Sequence, residues 1–166
     1  MGHVLHLVIE TAVIQGHKLS GVVTLVERQS GYFLAARLPK LTAELTQQAM
    51  LRLLEPRCGA VLTVTLDNGS EFASHEYVAK ALAAKIYFCD PYCSGQRGTN
   101  ENTNGLIRKY FFKGTDFQNV SNAELRKVVD KLNDRSRKRL DYRTPAQVFL
   151  GKYSGALGIV GAALIA

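Results

Sequence analysis

VLHLVIETAVIQGHKLSGVVTLVERQSGYFLAARL, residues 4–38, holds three apolar runs separated by two short breaks. The first run covers residues 4–13, and Gly16-His17-Lys18 breaks the chain soon after it. GVVTLVE, residues 21–27, is the second; Arg28-Gln29-Ser30-Gly31 is a turn, and residues 32–38 are the third. Runs of this length, rich in Val, Ile, Leu and Thr and bounded by Gly, Ser and Lys, read as β-strands. Breaks this short leave no room for a crossover helix, so an antiparallel meander is expected.

The pattern changes after residue 38. Thr42 is placed to cap a helix running through Leu54, with Leu45, Ala49, Leu51 and Leu54 near helical spacing. Residues 60–66 alternate as a strand that stops at Asp67-Asn68-Gly69. Ser74 is expected to cap a helix over 76–84, residues 86–89 read as a short buried strand, and residues 90–104 as a Gly-, Pro-, Ser- and Asn-rich loop. Helices are expected over 106–112, over 123–135 behind a Ser121 cap with Glu124 in the first turn, and from Thr144-Pro145 onward. The order is three antiparallel strands, helix, strand, helix, strand, then helices. It predicts an α/β chain of the RNase H-like class: a mixed sheet of three antiparallel and two parallel-type strands, with helices on both faces. One domain over residues 1–152 is expected, followed by an uncharged, small-residue-rich tail, 153–166.

Composition narrows the function. Hydrophobic residues make up 46% and charged residues 21% of the 166, values of a globular core and not of a disordered tail. No apolar run reaches the roughly 18 residues that cross a membrane, so no membrane partner is expected. No basic residue precedes the first apolar stretch, which argues against a signal peptide. Three cysteines, Cys58, Cys89 and Cys93, make no disulfide framework and point to a reducing cytoplasm. The net charge of +7 is one-sided: residues 1–84 carry seven basic and seven acidic side chains, residues 85–166 fourteen and seven. Such a surface is the footprint of a polyanion binder, or a solvated face.

Asp67 and Glu101 are the candidates for chemistry. Phosphodiester cleavage by two metal ions needs carboxylates converging from separate elements, because hard cations take oxygen ligands. Asp67 ends a strand within TVTLDNGSEF, and Glu101 lies in RGTNENTNGLIRKYF, with 33 residues between them. Taken singly, Asp-Asn-Gly is also a turn signal, and a Glu at a helix start is also a dipole partner.

Together these strings carry a resemblance. VTLVER (23–28), TLDNGSEF (65–72), YFCDPY (87–92), the RGTNENTNGLIR segment and LNDRSRKRL (132–140) resemble the catalytic core of bacterial insertion-sequence transposases of the DDE type, the IS-thirty family. The match runs from about residue 10 to 150, and the gap of 33 residues is that family's own spacing of its second and third carboxylates. The resemblance implies an RNase H-like core that cleaves DNA strands and joins them at transposon ends. The implied cofactor is Mg²⁺ or Mn²⁺, two ions per site. The implied partner is DNA, both transposon ends and target, bound by a homodimer or higher oligomer. The implied setting is the bacterial cytoplasm, associated with the nucleoid.

Carried onto this chain, Asp67 is the second and Glu101 the third metal-holding catalytic carboxylate. Glu10 stands where the family has its first, an Asp before a Thr, and no Asp precedes Asp67. Glu adds a methylene to a geometry sensitive to ångström shifts. Arg97, Asn100, Asn104, Arg108 and Lys109 flank Glu101 and are expected at the phosphate backbone. Arg135, Arg137, Lys138 and Arg139 form the densest basic run, either a DNA contact or a helix end complementing its dipole. The family's amino-terminal helix-turn-helix domain is expected to be absent from this chain. The alternative function is therefore a truncated, catalytically impaired remnant that binds DNA or dimerises without catalysis.

Overall fold

The computed structural model of the chain describes residues 7–90 and 98–153. β1 (Leu7–Gln15), β2 (Gly21–Glu27) and β3 (Phe33–Leu38) form the meander. β4 (Val61–Leu66) and β5 (Lys85–Phe88) add in parallel beside β1, giving one sheet of order β3-β2-β1-β4-β5. The helices are α1 (Ala43–Leu54), α2 (His75–Leu82), α3 (Gly98–Ile107), α4 (Asn122–Asn133) and α5 (Pro145–Tyr153). This is the mixed α/β sheet with helices on both faces that the element order predicts.

Strand alternation divides the core in two. Ile9, Leu25, Val64 and Leu66 point to one face, where Met50 and Leu54 of α1, Val78 and Leu82 of α2, and Phe149 of α5 cover them. Ile14, Val22, Val26 and Phe33 point to the other, under Ile107 of α3 and Leu125, Val128 and Leu132 of α4. β2 is buried along its whole length, which is why its sequence is a nearly continuous apolar run. Among the described residues the second face is covered only over β3, β2 and β1; Lys85 and Tyr87 of β5 are exposed on it.

Two predicted caps are in place. The Thr42 hydroxyl accepts from Leu45 N–H at 3.2 Å. At α4, Ser121 Oγ accepts from Glu124 N–H at 3.1 Å while Glu124 Oε2 accepts from Ser121 N–H at 2.7 Å, a reciprocal pair that satisfies two otherwise orphaned donors. Ser74 makes no such side-chain bond at α2.

Three expectations are corrected. The segment read as a loop through residue 104 is helical from Gly98, and the helix expected over 106–112 ends at Ile107. Gly and Asn disfavour helix intrinsically, but packing overrides propensity: Ile107 is fully buried, and the Thr103 hydroxyl bonds back to Thr99 C=O at 2.8 Å. Glu101 therefore stands on a helix. The last strand, read as buried over 86–89, has Tyr87 52% and Phe88 42% exposed, while Cys89 is buried; no helix of the described residues covers the face that carries Tyr87. The helix expected to reach 135 stops at Asn133, which places the basic run beyond it in a loop.

Asn133 closes an edge. Its Oδ1 accepts from Phe33 N–H and its Nδ2 donates to Phe33 C=O, both at 2.8 Å. These are the outward backbone groups of β3, which would otherwise be unpaired.

Candidate active site

Glu10 lies inside β1, opposite Val26 of β2 and Thr65 of β4. Its side chain is 2% exposed on the face that α3 and α4 cover elsewhere. Asp67 follows β4 directly, two residues beyond Thr65. Period-two alternation puts Thr65, Asp67 and Glu10 on the same face. In an ideal parallel pair, strand spacing and rise place such Cα atoms about 8 Å apart. Two carboxylates from separate strands are thereby brought to one surface.

The exit of β4 is held in place. Asp67 Oδ1 accepts from Gly69 N–H at 3.0 Å, the Asx turn that the Asp-Asn-Gly signal predicts. Asn68 Nδ2 donates to Cys89 C=O at 2.8 Å, and Cys89 N–H to Leu66 C=O at 2.9 Å, stitching the ends of β4 and β5 together. Glu71 is half-buried, with its carboxylate folded over Gly69 in the space a Cβ would need. His75 is a local cap: its Nδ1 pairs with Phe72 C=O at 3.0 Å, and its ring meets Phe88 edge-on.

Glu101 sits exposed in the first turn of α3. Asn104, one turn on, accepts from Thr24 Oγ1 at 3.0 Å, and Thr24 pairs with Ala12. At the other end Arg108 donates to Gln15 C=O at 2.8 Å. The two ties, Asn104 at the level of Ala12 and Arg108 at Gln15, make α3 run in the same direction as β1. Glu101, about 4.5 Å of helix rise before Asn104, is carried toward the strand level of Val26 and Glu10. The three side chains as they stand do not form a closed ligand set: among the described residues no three His, Cys, Asp or Glu groups come together to hold a metal ion. The donor chemistry itself fits a hard divalent cation, since the candidates offer only carboxylate oxygens.

Two residues of the neighbourhood had no role in the sequence reading. Arg28 places its Nε 3.5 Å from Glu10 Oε1, a mostly exposed guanidinium on a buried carboxylate. Its place in VTLVER, just past β2 and beside β1, was the signal that could have found it. Glu27 is buried as deeply as Glu10, at 1% exposure, but its carboxylate accepts from Gln29 N–H, Ser30 N–H and the Ser30 hydroxyl. It shapes the β2–β3 turn.

The candidate nucleic-acid contacts separate into groups. Asn104 and Arg108 are engaged in the ties just described. Lys109 is exposed after α3. Arg135, Arg137, Lys138 and Arg139 follow α4 and, with α3, line one cleft. Arg97 lies outside the described residues, and of Asn100 only its place in α3 is described.

Residues 6–94 match the family described as integrase core domain. The chain is 41% identical over 143 residues to the transposase for insertion sequence element IS4351 of Bacteroides fragilis, covering 86% of this chain and 44% of that protein. It is 39% identical over 140 residues to transposase InsI for insertion sequence element IS30A of Escherichia coli K12, covering 84% and 37%. The chain thus spans less than half the length of these curated relatives. Among solved structures, the catalytic core domain of BIV integrase superposes with a TM-score of 0.67 at 22% identity, covering 90% of this chain and 97% of that one. A simian T-cell lymphotropic virus intasome chain gives 0.69 at 21%, covering 89% and 55%. These neighbours bear out the RNase H-like fold.

Proposed function

The chain belongs to the integrase core domain family, and from that premise we propose that it is the catalytic core of a DDE-type DNA transposase. Its reaction is metal-dependent hydrolysis of a DNA phosphodiester, freeing a 3′-hydroxyl, which then attacks a phosphodiester of target DNA. The observation that carries the reading is Glu10 on β1 beside the exit of the adjacent parallel strand β4, where Asp67 follows on the same face, with Glu101 on the helix that crosses that face.

Residues 1–152 make up this core. Glu10, Asp67 and Glu101 hold the cations, Mg²⁺ or Mn²⁺, two in number. A bound divalent cation supplies Lewis-acid stabilisation of charge on the phosphoryl oxygens and lowers the pKa of attacking water. The chain's own part is positional. The Asx turn fixes where Asp67 leaves β4. The Asn104–Thr24 bond fixes how far α3 slides along the sheet, and so where Glu101 stands. Arg28 partners the buried Glu10, a carboxylate that would offer its oxygens to a cation. The basic surface of the second half of the chain takes the DNA backbone, and a homodimer or higher oligomer acts on transposon ends and target.

Nicking and strand transfer on supercoiled plasmid with Mn²⁺ test this, using the chain itself, Glu10→Asp, Asp67→Asn and Glu101→Gln. Nicking by the chain and by Glu10→Asp, lost in the other two, is expected. Nicking that survives Asp67→Asn or Glu101→Gln overturns the site, and none in either the chain or Glu10→Asp overturns the catalytic reading.

A further inference from the structure

A cleft of about 470 Å³ lies between α3 and the loop that follows α4, within the roughly 300–1,000 Å³ of ligand sites. Thr99 and Asn102 of α3 line one side, and Arg135, Arg137, Lys138 and Arg139 the other. Among the described residues no carboxylate lines it, and none of the four cations is in an ion pair. Two of the four are held by backbone carbonyls instead. Arg137 donates to Leu132 C=O at 3.3 Å, and Arg139 to Gln29 C=O at 3.1 Å. Gly31, at φ +69°, leaves by its missing side chain the space that the Arg139 guanidinium fills. Burial, then Arg135 and Arg139, push the Arg137 guanidinium below its ordinary pKa. Arg135, Lys138 and Arg139 are exposed and Arg137 half-buried; the fold gathers them around a concavity, and none has a counter-charge among the described residues. Guanidinium forks beside hydroxyl and amide donors suit a tetrahedral oxyanion.

We propose that this cleft is a receptor for a single backbone phosphate of DNA, held beside the turn of α3 that carries Glu101. That the phosphate belongs to DNA rests on the strand-transfer reading above. The receptor differs from a general basic track in its count: several cations serve one phosphate, so removing them forfeits the counterion release of one phosphate only.

The slope of log affinity against log salt measures that count, at about 0.9 per phosphate on duplex DNA. The full chain and Arg135→Gln/Lys138→Gln/Arg139→Gln are titrated with a fluorescent DNA duplex across salt concentrations. The expected slope loss is about 0.9. A loss near 2.7, as for three separate phosphates, overturns the proposal, and so does no loss. Lys40→Gln/Lys80→Gln/Lys113→Gln removes equal charge away from the cleft; an equal slope loss there also overturns it. If the triple cleft variant does not fold, the exposed Lys138 is substituted alone and read with inorganic phosphate as probe. Phosphate shifts the Thr99, Asn102 and Thr103 amide resonances of the full chain and shifts them less in Lys138→Gln. Phosphate shifts with no effect of DNA on the same resonances would mark a free-anion site and overturn the DNA assignment. These are binding measurements without divalent metal, so failed nicking refutes the catalytic reading and leaves this one standing, and the reverse.

Discussion

Asn133→Ala should unfold the chain at markedly lower temperature, although Asn133 touches no candidate active-site residue. Its side chain bonds both outward backbone groups of Phe33 at 2.8 Å, with Asn133 5% and Phe33 1% exposed. Truncation leaves a buried N–H and a buried C=O without partners, each costing about 1–3 kcal/mol. β3 is an edge strand, so some water reaches the vacated space, and we take about 2–4 kcal/mol. For a chain of this length that corresponds to roughly 5–15 °C in Tm. Urea unfolding followed by far-ultraviolet circular dichroism should show a lower midpoint with unchanged slope. Hydrogen exchange at the Phe33 amide should accelerate beyond the global loss of stability. Asn133→Asp keeps the acceptor and sets a carboxylate oxygen against Phe33 C=O, so it should not rescue. A Tm change below about 2 °C for Ala, or rescue by Asp, would refute the claim that this side chain seals the edge.

Three further outcomes are expected. Gly31→Ala forces a left-handed backbone, at about 1–2 kcal/mol, and displaces the Arg139 guanidinium; Tm and low-salt DNA affinity should both fall, and Gly31→Asn, which tolerates that backbone, should recover Tm without affinity. Thr42→Ala removes the acceptor for Leu45 N–H and should cost about 1 kcal/mol in urea unfolding, with Thr42→Ser near the parent. The Ser121 N–H, and then its hydroxyl, hold the Glu124 carboxyl below the ordinary glutamate range. A lowered folded value means that this contribution is present above the unfolded pKa and is lost as pH falls through the folded one. The stability gap between the chain and Glu124→Gln should therefore narrow on acidification below about pH 4.5, and a gap constant down to pH 2 would refute it.

Local chemistry made much of the fold legible. The β2 run reads as a strand from its sequence because burial on both faces demands apolar side chains at every position. Thr42 and Ser121 announce their helices because a cap is satisfied by atoms three residues away. The Asp67 turn is likewise closed within its own segment. Reading failed where a distant partner decides. Gly98–Ile107 has the composition of a loop and is a helix because Ile107 and Asn104 dock on the sheet. Residues 86–89 looked buried because they are apolar, yet no local signal says that the face carrying Tyr87 has no cover among the described residues.

The candidate site divides the same way. Which residues carry carboxylates, and that residues 85–166 hold the excess positive charge, is settled by the chain's own order. That Glu10 shares a face with Asp67 depends on the parallel register of β1 and β4, whose pairing residues lie more than fifty positions apart. That Arg28 meets Glu10, that Asn133 seals β3, and that four cations line one cleft depend likewise on contacts between separate elements, from 18 positions apart for Arg28 and Glu10 to 100 for Asn133 and Phe33. Side-chain type and local hydrogen bonding are properties of a short segment and are written in it. Convergence is a property of how twisted strands and docked helices bring separate segments together, and only the packed core specifies that.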